Sequence, residues 1–207
     1  MQMKDVAPPS TPVAAAASRL AGDYHSAAML NHAMRSWYWA RGIAAMECRT
    51  GFDEELLLVA ALLHDLGTTE AFDNHTLSYE EAGGHAAVAL TAGAGWPKSR
   101  RQRVMEVIVR HNWPSVDPEM DFEGYLLESA TGLDITGARS DVLSANFVDE
   151  VLHAYPRLGV AQEFTACVTS QAERKPSTAA HRIVGNGLAE KMRDHPFERR
   201  RHVESDL

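Results

Sequence analysis

The sequence predicts an all-α fold, a bundle of helices around a central metal site. Apolar residues recur at helical spacing in runs that open on Ser, Thr, Asp or Pro, and no stretch alternates apolar and polar residues between turn signals as a strand would. One run, Leu56 to Leu63, is apolar at every position and delivers His64-Asp65 before breaking at Gly67. Burying an unpaired imidazole and carboxylate at the end of such a helix costs several kcal/mol, about 2–7 for a neutral polar group alone. A metal ion removes that cost, because neutral imidazole and carboxylate oxygen make an ordinary ligand set.

With 207 residues, 45% hydrophobic and 23% charged, the chain fits one core and one domain. The expected boundaries are a disordered or partly helical lead over 1–20, the helical domain over 21–194 and a charged, frayed tail over 195–207. Net charge is −8, and basic residues gather only at Lys98 to Arg103 and Arg199 to Arg201, which argues against a nucleic-acid partner. No secretory leader or membrane-length apolar run is visible. Cys48 and Cys167 are too few for a disulfide scaffold, so a cytoplasmic protein is expected. Surface apolar residues leave a homo-oligomer open without locating its contact.

The elements follow in order. Residues 1 to about 12, with three prolines, read as a disordered lead, with Ser10 or Thr11 capping a first short helix. A helix is expected from Tyr24 to about Arg49, with Leu30, Met34 and Trp37 on one face and His32 within it. Asp53 caps the next helix, and Glu54 and Glu55 suit its first turn. Thr68 to Thr76 is a loop over the site, and Ser78 with Glu81 forms a capping box. Gly83 and Gly84 imply close approach of another backbone. Pro97 starts a helix ending near His111-Asn112, before Pro114. Phe122 to Leu127 leads to a turn at Thr131-Gly132-Leu133-Asp134, and further helices fit Asp141 to Tyr155, Gly159 to Arg174 and Ser177 to Arg193.

His32, His64-Asp65 and Asp134 therefore follow one another as candidate metal ligands on successive elements. The alternatives are a satisfied core histidine for His32, a helix C-cap for His64-Asp65 and a helix cap for Asp134. His111 is either a further ligand, a substrate-polarising group or another C-cap. His85 and His75 are weaker candidates, each in a stretch where a surface histidine needs no explanation, and His25, His153, His195 and His202 carry no signal beyond composition.

These residues resemble the cyanamide hydratase branch of the HD-domain superfamily. The likeness takes in Asn31-His32 with Trp37-Tyr38-Trp39, Leu62-Leu63-His64-Asp65-Leu66-Gly67-Thr68-Thr69, Ser78-Tyr79-Glu80 with Gly83-Gly84, and Ile108-Val109-Arg110-His111. It continues through Thr131 to Asp134 with Gly137, Tyr155-Pro156-Arg157, Phe164 with Cys167, and Lys175-Pro176 with His181, so that it spans roughly residues 25 to 182. Two positions depart: Thr131 stands where ordinary HD phosphohydrolases have Asp, and Ser177 follows the lysine-proline pair where the branch has Trp.

The resemblance implies an HD-domain bundle with one divalent ion, zinc ahead of iron, manganese or nickel, held by His32, His64, Asp65 and Asp134. It implies a lyase that adds water to the nitrile of cyanamide, or a related small nitrile, to give urea. Asp65 would accept the proton of an activated water and return it to nitrogen, with Glu80 and His111 as alternative proton carriers. Thr131 would orient the substrate, with Asn31 and Trp37 beside it, although the core reading fits the aromatic trio better. Two competitors stand against this. An HD-type phosphohydrolase acting on a nucleotide would need cations for phosphate, and only Arg35 and Arg110 lie close in sequence to proposed ligands. A metal-stabilised binding domain would have no turnover at all.

Overall fold

In the computed structural model, which describes residues 1–198, the helix α3 (Glu54–Leu63) runs through the middle with every residue from Leu56 to Leu63 buried. Asp53 caps it by accepting from the Leu56 amide at 3.0 Å. Burying a leucine fully is worth about 1.5–3 kcal/mol, so this one helix fixes where the core lies. Around it pack α1 (Pro12–Tyr24), α2 (Ala27–Met46), α4 (Tyr79–Gly93), α5 (Lys98–Arg110) and α6 (Phe122–Thr136). The helix α7 (Ala145–Ala154) lies against α2. A second apolar cluster joins α8 (Val160–Arg174), α9 (Ala179–Gly185) and α10 (Leu188–Arg193) through Val160, Phe164, Val168, Ala180, Leu188 and Met192. No strand occurs among the described residues, so the all-α expectation holds.

Several boundaries differ from expectation for identifiable reasons. The lead is ordered: residues Met3–Val6 form a 3-10 turn, the Met3 amide donates to the Glu150 carboxylate at 2.7 Å, and Val6 is buried. Thr11 caps α1, which runs on to Tyr24, and Ser26 opens α2, so the helix expected from Tyr24 to about Arg49 starts three residues later, at Ala27, and ends at Met46. The turn expected at Thr131 to Asp134 is helical. Gly132 bears no backbone strain there, and it is Gly137, at φ +72°, that ends α6 in the left-handed conformation. The helix expected over Ser177 to Arg193 is broken by Gly187, at φ +79°, into α9 and α10. The tail begins inside the core: His195 donates from Nε2 to the Leu133 carbonyl at 3.0 Å, and Phe197 packs on Trp39. Arg199 to Arg201 lie outside the described residues. No helix among the described residues is long and apolar enough to cross a membrane.

Candidate metal centre and its cavity

Helix α3 stops at Leu63, which is what lets two neighbouring side chains converge. His64 is the C-cap in helical conformation, whereas Asp65 has already left the helix at φ −102° and ψ 8°. The backbone of α4 presses on this end. A Cβ on Gly83 would fall 2.5 Å from the Leu63 carbonyl oxygen, and one on Gly67 would fall 2.2 Å from that of Tyr79. The close approach expected of Gly83 is thus an approach to the His-Asp end itself.

From α2, His32 faces the pair, and all three side chains are almost fully buried. His32 Nε2 lies 3.0 Å from His64 Nε2, and Asp65 Oδ2 lies 3.3 Å from the first and 3.2 Å from the second. The other ring nitrogens face acceptors, His32 Nδ1 at 2.7 Å from Asp134 Oδ2 and His64 Nδ1 at 2.8 Å from the Ala61 carbonyl. Those acceptors assign the ring protons to Nδ1. Two imidazole lone pairs and a carboxylate oxygen then crowd one point, and neither Asp65 oxygen has a hydrogen-bond partner among the described residues. Such an arrangement is repulsive as it stands and is satisfied by a cation. His32, His64 and Asp65 form a group able to hold a metal ion.

Asp134 is placed elsewhere than expected. Its oxygens do not join that group; they accept from Arg35 Nε and Nη2, each at 2.8 Å, from Trp39 Nε1 at 2.8 Å and from His32 Nδ1. Burial alone would raise its pKa, but the Arg35 charge, the His32 and Arg35 hydrogen bonds and Arg157 together hold it well below the carboxylate range. A carboxylate spent in this way orients the back of an imidazole. His32 responds in the opposite sense: burial lowers its pKa, yet Asp134 and Asp65 together outweigh burial and the net shift is upward.

A cavity of about 330 Å³ opens on this centre. His111, the C-cap of α5, also faces it, with Nε2 3.7 Å from Asp65 Oδ1 and Nδ1 against the Ile108 carbonyl. Burial, and then the repulsion a second proton would meet from the His64 imidazole beside it, push its pKa down to about 3, so it presents a neutral nitrogen. Thr131 lines the same cavity, its hydroxyl donating to the Leu127 carbonyl at 2.9 Å.

Three expected residues lie away from it. Asn31 donates from Nδ2 to the Pro156 carbonyl at 2.8 Å and ties α2 to the following loop. Trp37 is wholly buried in the apolar core beneath the Arg41 guanidinium. Glu80 lines a neighbouring cavity with Ser78 and Asn112, where burial raises its pKa.

Three others were not foreseen. Glu128, one helical turn before Thr131, lines the metal cavity with its pKa raised by burial, and its spacing from Thr131 was the available signal. Arg182 and Lys191 line it from α9 and α10. Nothing local in the sequence relates them to His64, because only the folding back of the last helices brings them near.

The chain is 29% identical over 174 residues to the cyanamide hydratases DDI2 and DDI3 of Saccharomyces cerevisiae, an alignment covering 83% of this chain and 77% of each relative. The resemblance read from the motifs is therefore matched across most of the chain. A family model described as HD domain matches residues 29–146, the span that carries His32, His64-Asp65, His111 and Asp134. The chain belongs to the HD-domain family.

Proposed function

We propose that the protein is a metal-dependent hydro-lyase that adds water to the nitrile of cyanamide, or of a related small nitrile, in the first case giving urea. The observation that carries this reading is the orphaned Asp65 carboxylate among inward-facing imidazole nitrogens at the floor of a cavity. Similarity to the two yeast cyanamide hydratases supports the substrate. A divalent ion held by His32, His64 and Asp65, which we take to be zinc from its nitrogen-rich donor set, supplies Lewis acidity that lowers the pKa of water and polarises a nitrile.

The side chains do the rest. Asp65 divides its oxygens, with Oδ2 among the imidazoles and Oδ1 toward His111. Oδ1 is the acceptor for the proton leaving water, and the same proton is returned to the nitrile nitrogen. His111, held neutral, accepts a hydrogen bond and orients the water. Glu128, rather than Glu80, is the second carboxyl within the cavity and an alternative proton carrier. Thr131, with its proton engaged by Leu127, offers the cavity an oxygen acceptor. Both cysteines are free, which suits the cytoplasm.

Arg182 and Lys191 favour a second reading, hydrolysis of a nucleotide phosphate, because they place cations in the cavity wall. Purified protein incubated with cyanamide, other nitriles and nucleotides, with urea or amide and phosphate all measured, separates the two. Urea from cyanamide is expected, and phosphate release without hydration of any nitrile overturns the reading.

A further inference from the structure

The cavity is larger than cyanamide requires. It encloses about 330 Å³, whereas three non-hydrogen atoms fill the room of two or three waters, roughly 60–90 Å³ at the ~30 Å³ that each takes in the liquid. Beyond the floor formed by His32, His64 and Asp65, the lining changes character. Ile135 and Phe164 contribute apolar surface from α6 and α8, and Arg182 and Lys191 stand on α9 and α10. Among the described residues neither cation is ion-paired with a carboxylate, and Glu128, the carboxyl that shares the cavity, is not within ion-pair reach of either. Arg182 donates to the Asn112 carbonyl oxygen, which fixes it at the edge between this cavity and the one beside it, since it lines both. Lys191 is exposed to solvent. The cavity also holds Asp65, which a metal ion would engage, and Glu128, so two cations without a carboxylate in ion-pair reach are free to pair with an anion brought in by a ligand.

We propose that this cavity takes a small nitrile bearing a carboxylate, with the nitrile at the metal-holding floor, an apolar body against Ile135 and Phe164, and the carboxylate seated by Lys191 and Arg182. This rests on the hydration reading above and narrows its substrate class. A carboxylate is favoured over a phosphate because Arg182 already spends a donor on the Asn112 carbonyl oxygen, which leaves fewer donors for the three oxygens and higher charge of a phosphate.

The test compares binding of 3-cyanopropionate, its neutral amide 3-cyanopropanamide, and inorganic phosphate to the metal-loaded protein by calorimetry. Lys191→Met and Lys191→Glu are the variants, with folding and metal content checked for each. The wild type is expected to bind 3-cyanopropionate about fivefold or more tightly than the amide, with that preference mostly lost in Lys191→Met and abolished or inverted in Lys191→Glu. Equal binding of acid and amide, or a preference that survives both substitutions, overturns the proposal. Phosphate binding tighter than 3-cyanopropionate with the same Lys191 dependence overturns the carboxylate assignment. Lys191-dependent binding of 3-cyanopropionate without formation of succinamate, its hydration product, upholds the anion seat and overturns this acid as a hydrated substrate, while urea formation from cyanamide separately decides the hydration reading.

Discussion

At the floor of the cavity His32, His64 and Asp65 are buried side chains on α2 and at the end of α3, each imidazole held from behind by an acceptor. In the wall of the same cavity Arg182 and Lys191 stand on two short helices separated by the Gly187 bend. The floor is therefore built into the core, where moving one ring displaces packed neighbours and breaks buried hydrogen bonds. The wall is built from side chains that solvent reaches, where substitution changes charge at little cost to packing. Under the proposed hydration, the floor would supply chemistry common to every nitrile, and selection among substrates would fall to the wall.

Substitutions at the floor should have the largest effects. His64→Ala removes one of the converging nitrogens, and metal content measured by elemental analysis should fall from stoichiometric to near zero, with turnover below detection. Asp134→Asn acts from behind His32. Loss of an outer-shell carboxylate weakens metal affinity by about 10- to 100-fold without abolishing it, as a competition titration against a chelator will read. If Asp134→Asn removes metal as completely as His64→Ala, Asp134 is a ligand and the division between front and back of His32 is wrong.

Gly83→Ala tests whether backbone packing aims the pair. Its Cβ meets the Leu63 carbonyl at 2.5 Å, a backbone atom that cannot swing aside, so chemical denaturation should show a loss of about 1–3 kcal/mol together with reduced metal affinity. Unchanged stability and affinity would show that α4 does not position the His-Asp end. The smallest effect is expected of Thr131→Val, whose hydroxyl already bonds its own helix. Metal content should be retained, stability should change by about 1 kcal/mol or less, and kcat should fall no more than about tenfold, the worth of one hydrogen bond. A fully active variant removes Thr131 from the chemistry.

The floor could be read from the sequence because its signals are local. An unbroken apolar run opened by Asp53 and two glutamates reads as a core helix, and the polar pair at its end then demands a partner. His32 stands within the preceding helix. The order of residues alone does not place Asp134, because an aspartate in that position looks the same whether it faces an ion or the back of an imidazole. The buried Arg35 and Trp39, which claim its oxygens, decide the matter only in three dimensions. Asn31 and Trp37 had order and spacing in their favour, but their side chains point toward the Pro156 carbonyl and the core. The wall was invisible for the converse reason. Arg182 and Lys191 lie far along the chain from His64, and a single left-handed glycine at position 187 separates the two helices that carry them toward it.

The most direct measurement is a titration of metal-stripped protein with zinc while urea release from cyanamide is followed. The arrangement of His32, His64 and Asp65 predicts activity rising linearly to a break at one equivalent per chain and staying flat beyond it. Urea formation at full rate in the stripped protein, or metal binding at one equivalent with no urea from cyanamide and no amide from any nitrile, would contradict it.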